Sequence, residues 1–301
     1  MKQNTLSHVP VLLEESIEGL ALGAGEVIVD GTFGGGGHTN AILDRFRDTV
    51  SVVCVDLDER AAQRYAEGVA KRNLHTTFVH ANFKDVATIL AATHLAAVGR
   101  VLLDLGTSTF QLLADERGFS FHSAVPLSMT FSAAGAMTGF DASTIVNEWD
   151  EASLVAILDA YGEERQARTI ARAIVQARAK APITTAAMLA GIISRAVHRR
   201  GRIHPATKTF QALRITVNDE LVVLKEALGR WWEVLAPSGR IAVITFHSLE
   251  DRVVKQWMKQ QSSGRVITKK PITPSREALL ANPRSRSAKL RIIEKTNSHH
   301  D

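Results

Sequence analysis

Short apolar runs alternate with amphipathic segments through the first third of the chain. The runs have the length of buried strands, and the segments between them have the spacing of helices. The predicted strands are 27–30, 50–55, 76–79 and 101–103, and the predicted helices are 39–46, 59–71 and one after residue 83. Alternation at this spacing predicts a parallel sheet covered by helices on both faces.

The strand pattern stops after Gly106. The apolar spacing then predicts helices over 153–161, 163–180, 184–197 and a long helix that opens near Pro205. Beyond them a strand is predicted at 239–246, a helix at 249–260 and further strands at 265–269 and 288–293. The predicted fold class is therefore α/β, with one sheet built from 1–106 and 217–301 and an inserted all-helical domain over 107–216.

Charge is distributed unevenly along the chain. The net charge is +5, yet the stretch from Arg165 to Asn218 holds eleven Lys and Arg and no Asp or Glu, so subtracting eleven leaves −6 for the rest. A solvated face normally mixes both signs, so this stretch indicates a surface for a polyanion. The candidate cations are Arg165, Arg168, Arg172, Arg199, Arg200, Arg202, Lys208 and Arg214.

Two features bear on the cellular compartment. The single cysteine, Cys54, cannot form an intramolecular disulfide and lies in an apolar run, so we expect a core residue in a reducing cytoplasm. The first twenty residues carry three glutamates and no long apolar run. This pattern is typical of neither a signal peptide nor a membrane anchor, and a cytoplasmic location is expected.

Residues with ligand-binding chemistry stand at the predicted strand ends, where open α/β sheets bind their ligands. The glycine turn at 31–38 allows a ligand to approach the backbone closely. Asp56 is placed to accept hydrogen bonds from ribose hydroxyls, and Phe83 is placed to pack on an adenine ring. Asp104 ends the fourth strand, where a cationic sulfonium would lie. Together these residues favour S-adenosylmethionine as the cofactor.

A nicotinamide dehydrogenase is the alternative for this pocket, because it shares the glycine turn and the acidic residue after the second strand. Two details argue against it. The turn is Gly34-Gly35-Gly36-Gly37, without clean G-x-G-x-x-G spacing. The basic insertion also has no obvious use for a small hydride-transfer substrate.

Six segments, in order and spanning nearly the whole chain, resemble the RsmH (MraW) family of 16S rRNA cytosine-N4 methyltransferases. They are HVPVLLEE at 8–15, DGTFGGGGHT at 30–39, ERGFSF at 116–121, YGEER at 161–165, HPATKTFQALRI at 204–215 and TFHSLEDR at 245–252. The resemblance implies a Rossmann-like class I methyltransferase sheet with an inserted helical RNA-recognition domain.

The resemblance also implies an activity, which is N4-methylation of a cytosine in the decoding centre, where the small subunit contacts P-site tRNA. The partner would be 16S rRNA, within the small ribosomal subunit, with no membrane and no metal involved. The residues that would bind S-adenosylmethionine are Gly36, Gly37, His38, Asp56, Phe83, Asp104 and Gln111.

Two segments depart from the family pattern. After Asp-Leu-Gly the family has Val-Ser-Ser-Pro-Gln-Leu-Asp, whereas this chain has Thr107-Ser-Thr-Phe-Gln-Leu-Leu113. Where the family has Pro-Leu-Asp-Met-Arg-Met-Asp, this chain has Pro126-Leu-Ser-Met-Thr-Phe-Ser132. Two carboxylates and an arginine are therefore absent near the expected substrate entrance. A methyltransferase for another RNA or DNA amino group and a catalytically inactive RNA-binding relative stay open as alternatives.

The chemistry needs groups that hold the base. An exocyclic cytosine amine is a poor nucleophile and must be held in line with the methyl donor by acceptors for its protons. Candidates are Asp104, Ser108 and Gln111, although Asp104 could serve only the cofactor and Ser108 only a turn. His247 follows the fifth strand as a further candidate. Ser248 and Asp251 also form a helix-start signature, so capping alone could explain this stretch.

Overall fold

The computed structural model describes residues 10–106, 117–132, 138–197 and 204–296. The chain forms two compact units. The sheet unit comprises residues 1–108 and 221–301, and the helical unit comprises residues 109–220. Within the described residues, no helix is long and apolar enough to cross a membrane.

The sheet unit contains seven strands in the order β3-β2-β1-β4-β5-β7-β6. The first five strands in this order run parallel, and β7 lies antiparallel to both β5 and β6. The order and directions confirm the predicted α/β fold, in which an antiparallel strand pair completes a parallel sheet. The strands are β1 Val27–Asp30, β2 Ser51–Asp56, β3 Thr76–His80, β4 Val98–Asp104, β5 Leu235–Thr245, β6 Gly264–Val266 and β7 Lys289–Lys295.

Helices cover both faces of this sheet, because successive residues of each strand point to opposite sides. Val29, Val53 and Leu103 belong to one buried cluster with Trp231, whereas Ile28, Val52 and Leu102 belong to the other. Cys54 is fully buried in the second cluster, which confirms the prediction of a core residue. The helices of this unit are α1 Leu13–Leu20, α2 Gly37–Phe46, α3 Glu59–Glu67, α4 Val86–Thr93, α10 Glu220–Val234, which begins at the last residue of the helical unit, α11 Ser248–Gln260 and α12 Arg276–Ala281.

The helical unit is built from α5 Ala142–Glu148, α6 Glu151–Ala160, α7 Ala167–Arg178, α8 Ala186–Ala196 and α9 Thr207–Asn218. On α7, Ala167, Ile170, Ala171 and Ile174 are buried, as the spacing predicts. Arg165, Arg168 and Arg172 are exposed. Arg168 and Arg172 lie on the side of α7 opposite its buried residues, so this helix has a core-facing side and a cationic side.

The prediction of one long helix from Pro205 is wrong. Asp219 adopts a left-handed conformation with φ of 51°, which ends α9, and α10 begins at Glu220. Aspartate tolerates this conformation better than most residues do. Leu221, at the start of α10, is half-buried. The strand predicted at 265–269 also ends early, at Val266, because the hydroxyl of Thr268 accepts the amide of Ile292 at 2.8 Å.

Candidate functional site

Three carboxylates stand at the carboxyl ends of adjacent parallel strands. Asp30 ends β1, Asp56 ends β2 and Asp104 ends β4. The chain leaves β1 toward β2 and β3 on one side and returns to β4 on the other, so β1 marks the point where the strand order reverses. A crevice outside the strand ends at such a point is the usual ligand site of an open α/β sheet.

The glycine turn after β1 has no space for larger residues. Gly36 has a φ of 74°, and a Cβ added to it would lie 2.7 Å from the ring of Phe33. A Cβ on Gly37 would lie 2.3 Å from Pro10. No side chain at the start of α2 accepts a hydrogen bond from the first backbone N–H groups of this helix. A helix start of this kind attracts a carboxylate or another anionic group.

Asp56 is oriented by the backbone around it. Its Oδ2 accepts the amide of Gly34 at 2.7 Å, and its Oδ1 accepts the amide of Asp58 at 2.8 Å. Burial raises the pKa of this carboxyl, although both hydrogen bonds act in the opposite direction. Each carboxylate oxygen keeps a second lone pair, so Asp56 can still accept hydrogen bonds from a diol such as a ribose.

Asp104 is a buried carboxyl whose two oxygens have different surroundings. Its Oδ2 lies 3.7 Å from Nδ1 of His38, whereas its Oδ1 is buried without a hydrogen-bond partner among the described residues. Burial, followed by the charges of Asp30 and Glu250, raises its pKa well above the usual range. A buried carboxylate oxygen without a partner is costly, and a cationic group placed beside it would offset that cost.

Asp30 is a site residue that sequence reasoning missed. It is 1% exposed and accepts hydrogen bonds from the Thr39 hydroxyl at 2.7 Å and the Thr32 amide at 3.3 Å. Burial, with a smaller contribution from the charge of Asp56, raises its pKa to about 6. The available signal was its position, because Asp30 ends a strand just as Asp56 and Asp104 do.

Phe83 lies beside the glycine turn. It is half-buried, and a Cβ on Gly31 would approach the Cβ of Phe83 to 3.3 Å. Its carbonyl accepts a hydrogen bond from Nε1 of Trp231 at 2.8 Å, which fixes the backbone here. The structure therefore brings this ring to the same strand ends as Asp30, where it is available to pack on a flat ligand group.

His247 has a structural role as the N-cap of α11. Its Nδ1 accepts the amide of Glu250 at 3.3 Å, and the Glu250 carboxylate accepts the amides of Phe246 and His247 in return. This is a capping box, shifted by one residue from the Ser248–Asp251 signature that the sequence indicated. Asp251 instead binds Arg291 at 2.6 Å and Lys289 at 3.0 Å.

Several candidate residues lie outside the described part of the chain. They are Ser108, Gln111, Arg199, Arg200 and Arg202.

Two polar side chains of α9, Arg214 and Asn218, are held by partners within the helical unit. Arg214 is 17% exposed and forms two hydrogen bonds with Glu220, at 2.7 and 2.9 Å, so its guanidinium is not available to RNA in the way the sequence predicts. Asn218 is buried and bonds the Met129 carbonyl and the Phe131 amide. Helical periodicity alone does not reveal either set of partners.

Lys208 remains half-exposed on α9, and its ammonium donates to the carbonyl of Glu163. Residues 128–132, which differ from the pattern of the family that the chain resembles, are packed rather than open. Met129 is 1% exposed, and its amide donates to the carbonyl of Arg117 at 2.7 Å. The guanidinium of Arg117 in turn donates to the carbonyl of Phe131.

Comparisons with known proteins cover almost the entire chain. The family model described as the MraW methylase family matches residues 5–296. Ribosomal RNA small subunit methyltransferase H of Deinococcus radiodurans is 47% identical over 292 residues, which cover 97% of this chain and 90% of the relative. The protein of the same name from Brevibacillus brevis is 42% identical, with 96% and 98% covered. That of Nostoc punctiforme is 44% identical, with 98% and 96% covered.

Proposed function

We propose, on the premise that the chain belongs to the MraW methylase family, that it methylates the N4 amine of a cytosine in the decoding centre of 16S rRNA. S-adenosylmethionine is the methyl donor, and it supplies an electrophilic methyl group on a positively charged sulfur. The observation that carries the proposal is the group of buried carboxylates at the strand ends. Asp104 above all has a buried oxygen that lacks a partner in the described residues.

The residues of the strand ends fit the parts of this cofactor. Asp56 would accept the ribose hydroxyls, and Phe83 would pack on the adenine. Gly36, Gly37 and His38, at the uncapped start of α2, would hold the amino-acid carboxylate. Asp104 would face the cationic end of the cofactor, with Gln111 beside it. The raised pKa of Asp104 fits this role, because a positive charge nearby stabilises its ionised form.

The same carboxylate suits the proton chemistry of the reaction. Transfer would form a bond between the methyl carbon and N4 and break the bond from that carbon to sulfur, which would keep the electron pair as a neutral thioether. The amine would then have to lose one proton. Burial makes Asp104 a stronger proton acceptor than an exposed carboxylate. We assign it this proton, with Ser108 and Gln111 accepting hydrogen bonds from the amino group. The cytosine must leave its stack to reach these residues.

The helical unit would hold the RNA. Arg165, Arg168 and Arg172 are exposed, and Arg172 forms only a loose, solvent-exposed pair with Glu151 at 3.8 Å. Such a pair contributes little and can be exchanged for a phosphate. Lys208 and the cations of 199–202 would extend this surface. A substrate within the small ribosomal subunit implies a cytoplasmic location.

The test is to identify the methylated nucleoside. Small subunits lacking the modification, naked 16S rRNA and DNA are each incubated with the protein and methyl-labelled S-adenosylmethionine, then digested to nucleosides. We expect labelled N4-methylcytidine at one decoding-centre position. Label on another nucleoside or on DNA would refute the target. RNA binding without any transfer would instead identify an inactive RNA-binding relative, as the changed residues 128–132 make conceivable.

A further inference from the structure

A basic excursion connects β6 to β7 in the sheet unit. It runs from residue 267 to residue 288 and carries Lys269, Lys270, Arg276, Arg284 and Arg286 against one carboxylate, Glu277. Five positive charges and one negative charge give it a net charge of +4. The excursion belongs to the sheet unit, whereas the cation-rich stretch of 165–218 belongs to the helical unit.

The topology places this excursion at the same edge of the sheet as the candidate cofactor site. β4 ends at Asp104, and the parallel strand β5 ends beside it, with Asp104 paired to Ile244. β7 is antiparallel to β5, and its first residue, Lys289, pairs with Thr245, the last residue of β5. Residues 267–288 therefore project from the edge at which the parallel strands end. They lie beside β5, the neighbour of the strand that ends at Asp104.

The stem of the excursion is fixed. Ile272 exchanges two backbone hydrogen bonds with Leu290, at 3.0 and 2.9 Å. Thr268 is buried and accepts the amide of Ile292. Cations of the flanking strands already have carboxylate partners, because Lys289 and Arg291 bind Asp251, and Arg265 binds Glu294 at 2.6 Å. The surface above this stem is thus held in place rather than loosely attached.

The cations beyond the stem are different. Lys269, Lys270, Arg276 and Arg286 are all exposed. Within the described residues, none of these four side chains forms an ion pair or a hydrogen bond. Leu280, among them on α12, is 77% exposed, which is unusual for a large apolar side chain. Cations combined with an exposed apolar side chain suit a single RNA strand, which offers both phosphates and unstacked bases.

We propose that residues 267–288 form a second RNA-binding surface, which holds the phosphates of the strand that carries the target base. This inference rests on the proposed function, since it takes RNA as the substrate. It adds that the sheet unit binds RNA with its own cations at the reaction edge, rather than leaving RNA binding to the helical unit. An acidic protein partner is the rival occupant, and the test below separates the two.

The experiment compares two variants of the full chain with equal loss of charge. The test variant changes Lys269, Lys270, Arg276 and Arg286 to Gln. The control variant makes the same change at four exposed cations of the same unit that lie on segments leading to the opposite edge of the sheet, Arg47, Lys71, Lys255 and Lys259. Binding of a labelled single-stranded oligouridylate is measured over a range of KCl concentrations. Methyl transfer to small subunits is measured in parallel.

The test variant should bind the oligonucleotide at least about tenfold more weakly than the control variant at low salt. The slope of log K against log salt should fall by about 0.7 for each lost phosphate contact, so by up to about 3. Its KM for small subunits should rise while its affinity for S-adenosylmethionine stays that of the wild type. Equal salt slopes in the two variants would overturn the proposal.

A raised KM with an unchanged slope on the oligonucleotide would also overturn it, in favour of a protein contact within the particle. These outcomes differ from a failure of the proposed function. In that case the wild-type protein itself would transfer no methyl group to small-subunit RNA, whatever the behaviour of the two variants.

Discussion

Replacing Asp30 with Asn tests the electrostatics of the strand ends. Burial raises the pKa of Asp30 from 3.8 to about 6, so the folded protein holds this proton more tightly than the unfolded chain does. Between these two pKa values the folded state binds more protons, and the free energy of unfolding therefore falls as the pH rises through this window. A difference of about two pKa units corresponds to about 3 kcal/mol.

Asparagine has nearly the same shape but does not ionise. Relative to Asp30→Asn, the wild-type protein should therefore lose about 3 kcal/mol of stability between about pH 4 and about pH 7. Urea unfolding followed by tryptophan fluorescence measures this difference. Trp231, Trp232 and Trp257 belong to the sheet unit, whereas Trp149 belongs to the helical unit. A Trp149→Phe background makes the signal specific to the sheet unit.

The Thr39 hydroxyl provides a matched second variant. Its hydrogen bond lowers the pKa of Asp30 and so opposes the effect of burial. Thr39→Val keeps the shape of this fully buried residue, and it should widen the pH window over which the wild-type carboxyl loses stability. Parallel stability profiles for wild type and Asp30→Asn across this pH range would refute the reasoning.

Three further changes test the site and the RNA surface. Asp104→Ala should abolish methyl transfer while leaving the thermal unfolding transition in place, and near-normal turnover would remove Asp104 from the site. Gly36→Ala should cost about 1–3 kcal/mol in urea unfolding, because its φ is 74° and its Cβ would meet the ring of Phe33; unchanged stability would contradict that geometry. Neutralising three exposed arginines should lower the salt slope of RNA binding by about 2 and leave cofactor affinity intact. An unchanged slope would show that this face lies away from the RNA. Those arginines are Arg165, Arg168 and Arg172.

The sheet could be predicted from the sequence because its strands are short apolar runs that end in polar residues. Val27–Asp30 and Ser51–Asp56 are continuous apolar segments closed by an aspartate, and both were predicted within one residue. The exposed arginines of α7 follow from helical periodicity in the same way. Periodicity and strand ends are local properties, so one sequence is enough to find them.

Features that depend on backbone conformation or on strand pairing could not be predicted. The apolar spacing of a helix runs on across Asp219, so the break between α9 and α10 is visible only in the backbone conformation. The pairing of Arg214 with Glu220 depends on that break, because it brings the carboxylate at the start of the next helix to the guanidinium. The positive charge of the excursion at 267–288 is not apparent from the net charge outside 165–218, because that net charge is −6. Its position became informative only once β7 was seen to pair with β5.

The central claim is that Asp104, at the strand ends, faces a sulfonium, and the affinities for S-adenosylmethionine and S-adenosylhomocysteine test it directly. The two ligands differ by one methyl group and one positive charge. Because a cation binds the ionised carboxylate better, affinity for S-adenosylmethionine should rise with pH through the raised pKa of Asp104. Affinity for the uncharged thioether should rise much less, and Asp104→Asn should remove the difference. Calorimetric titrations that find no binding of S-adenosylmethionine, or identical pH profiles for both ligands in the wild type, would contradict this account.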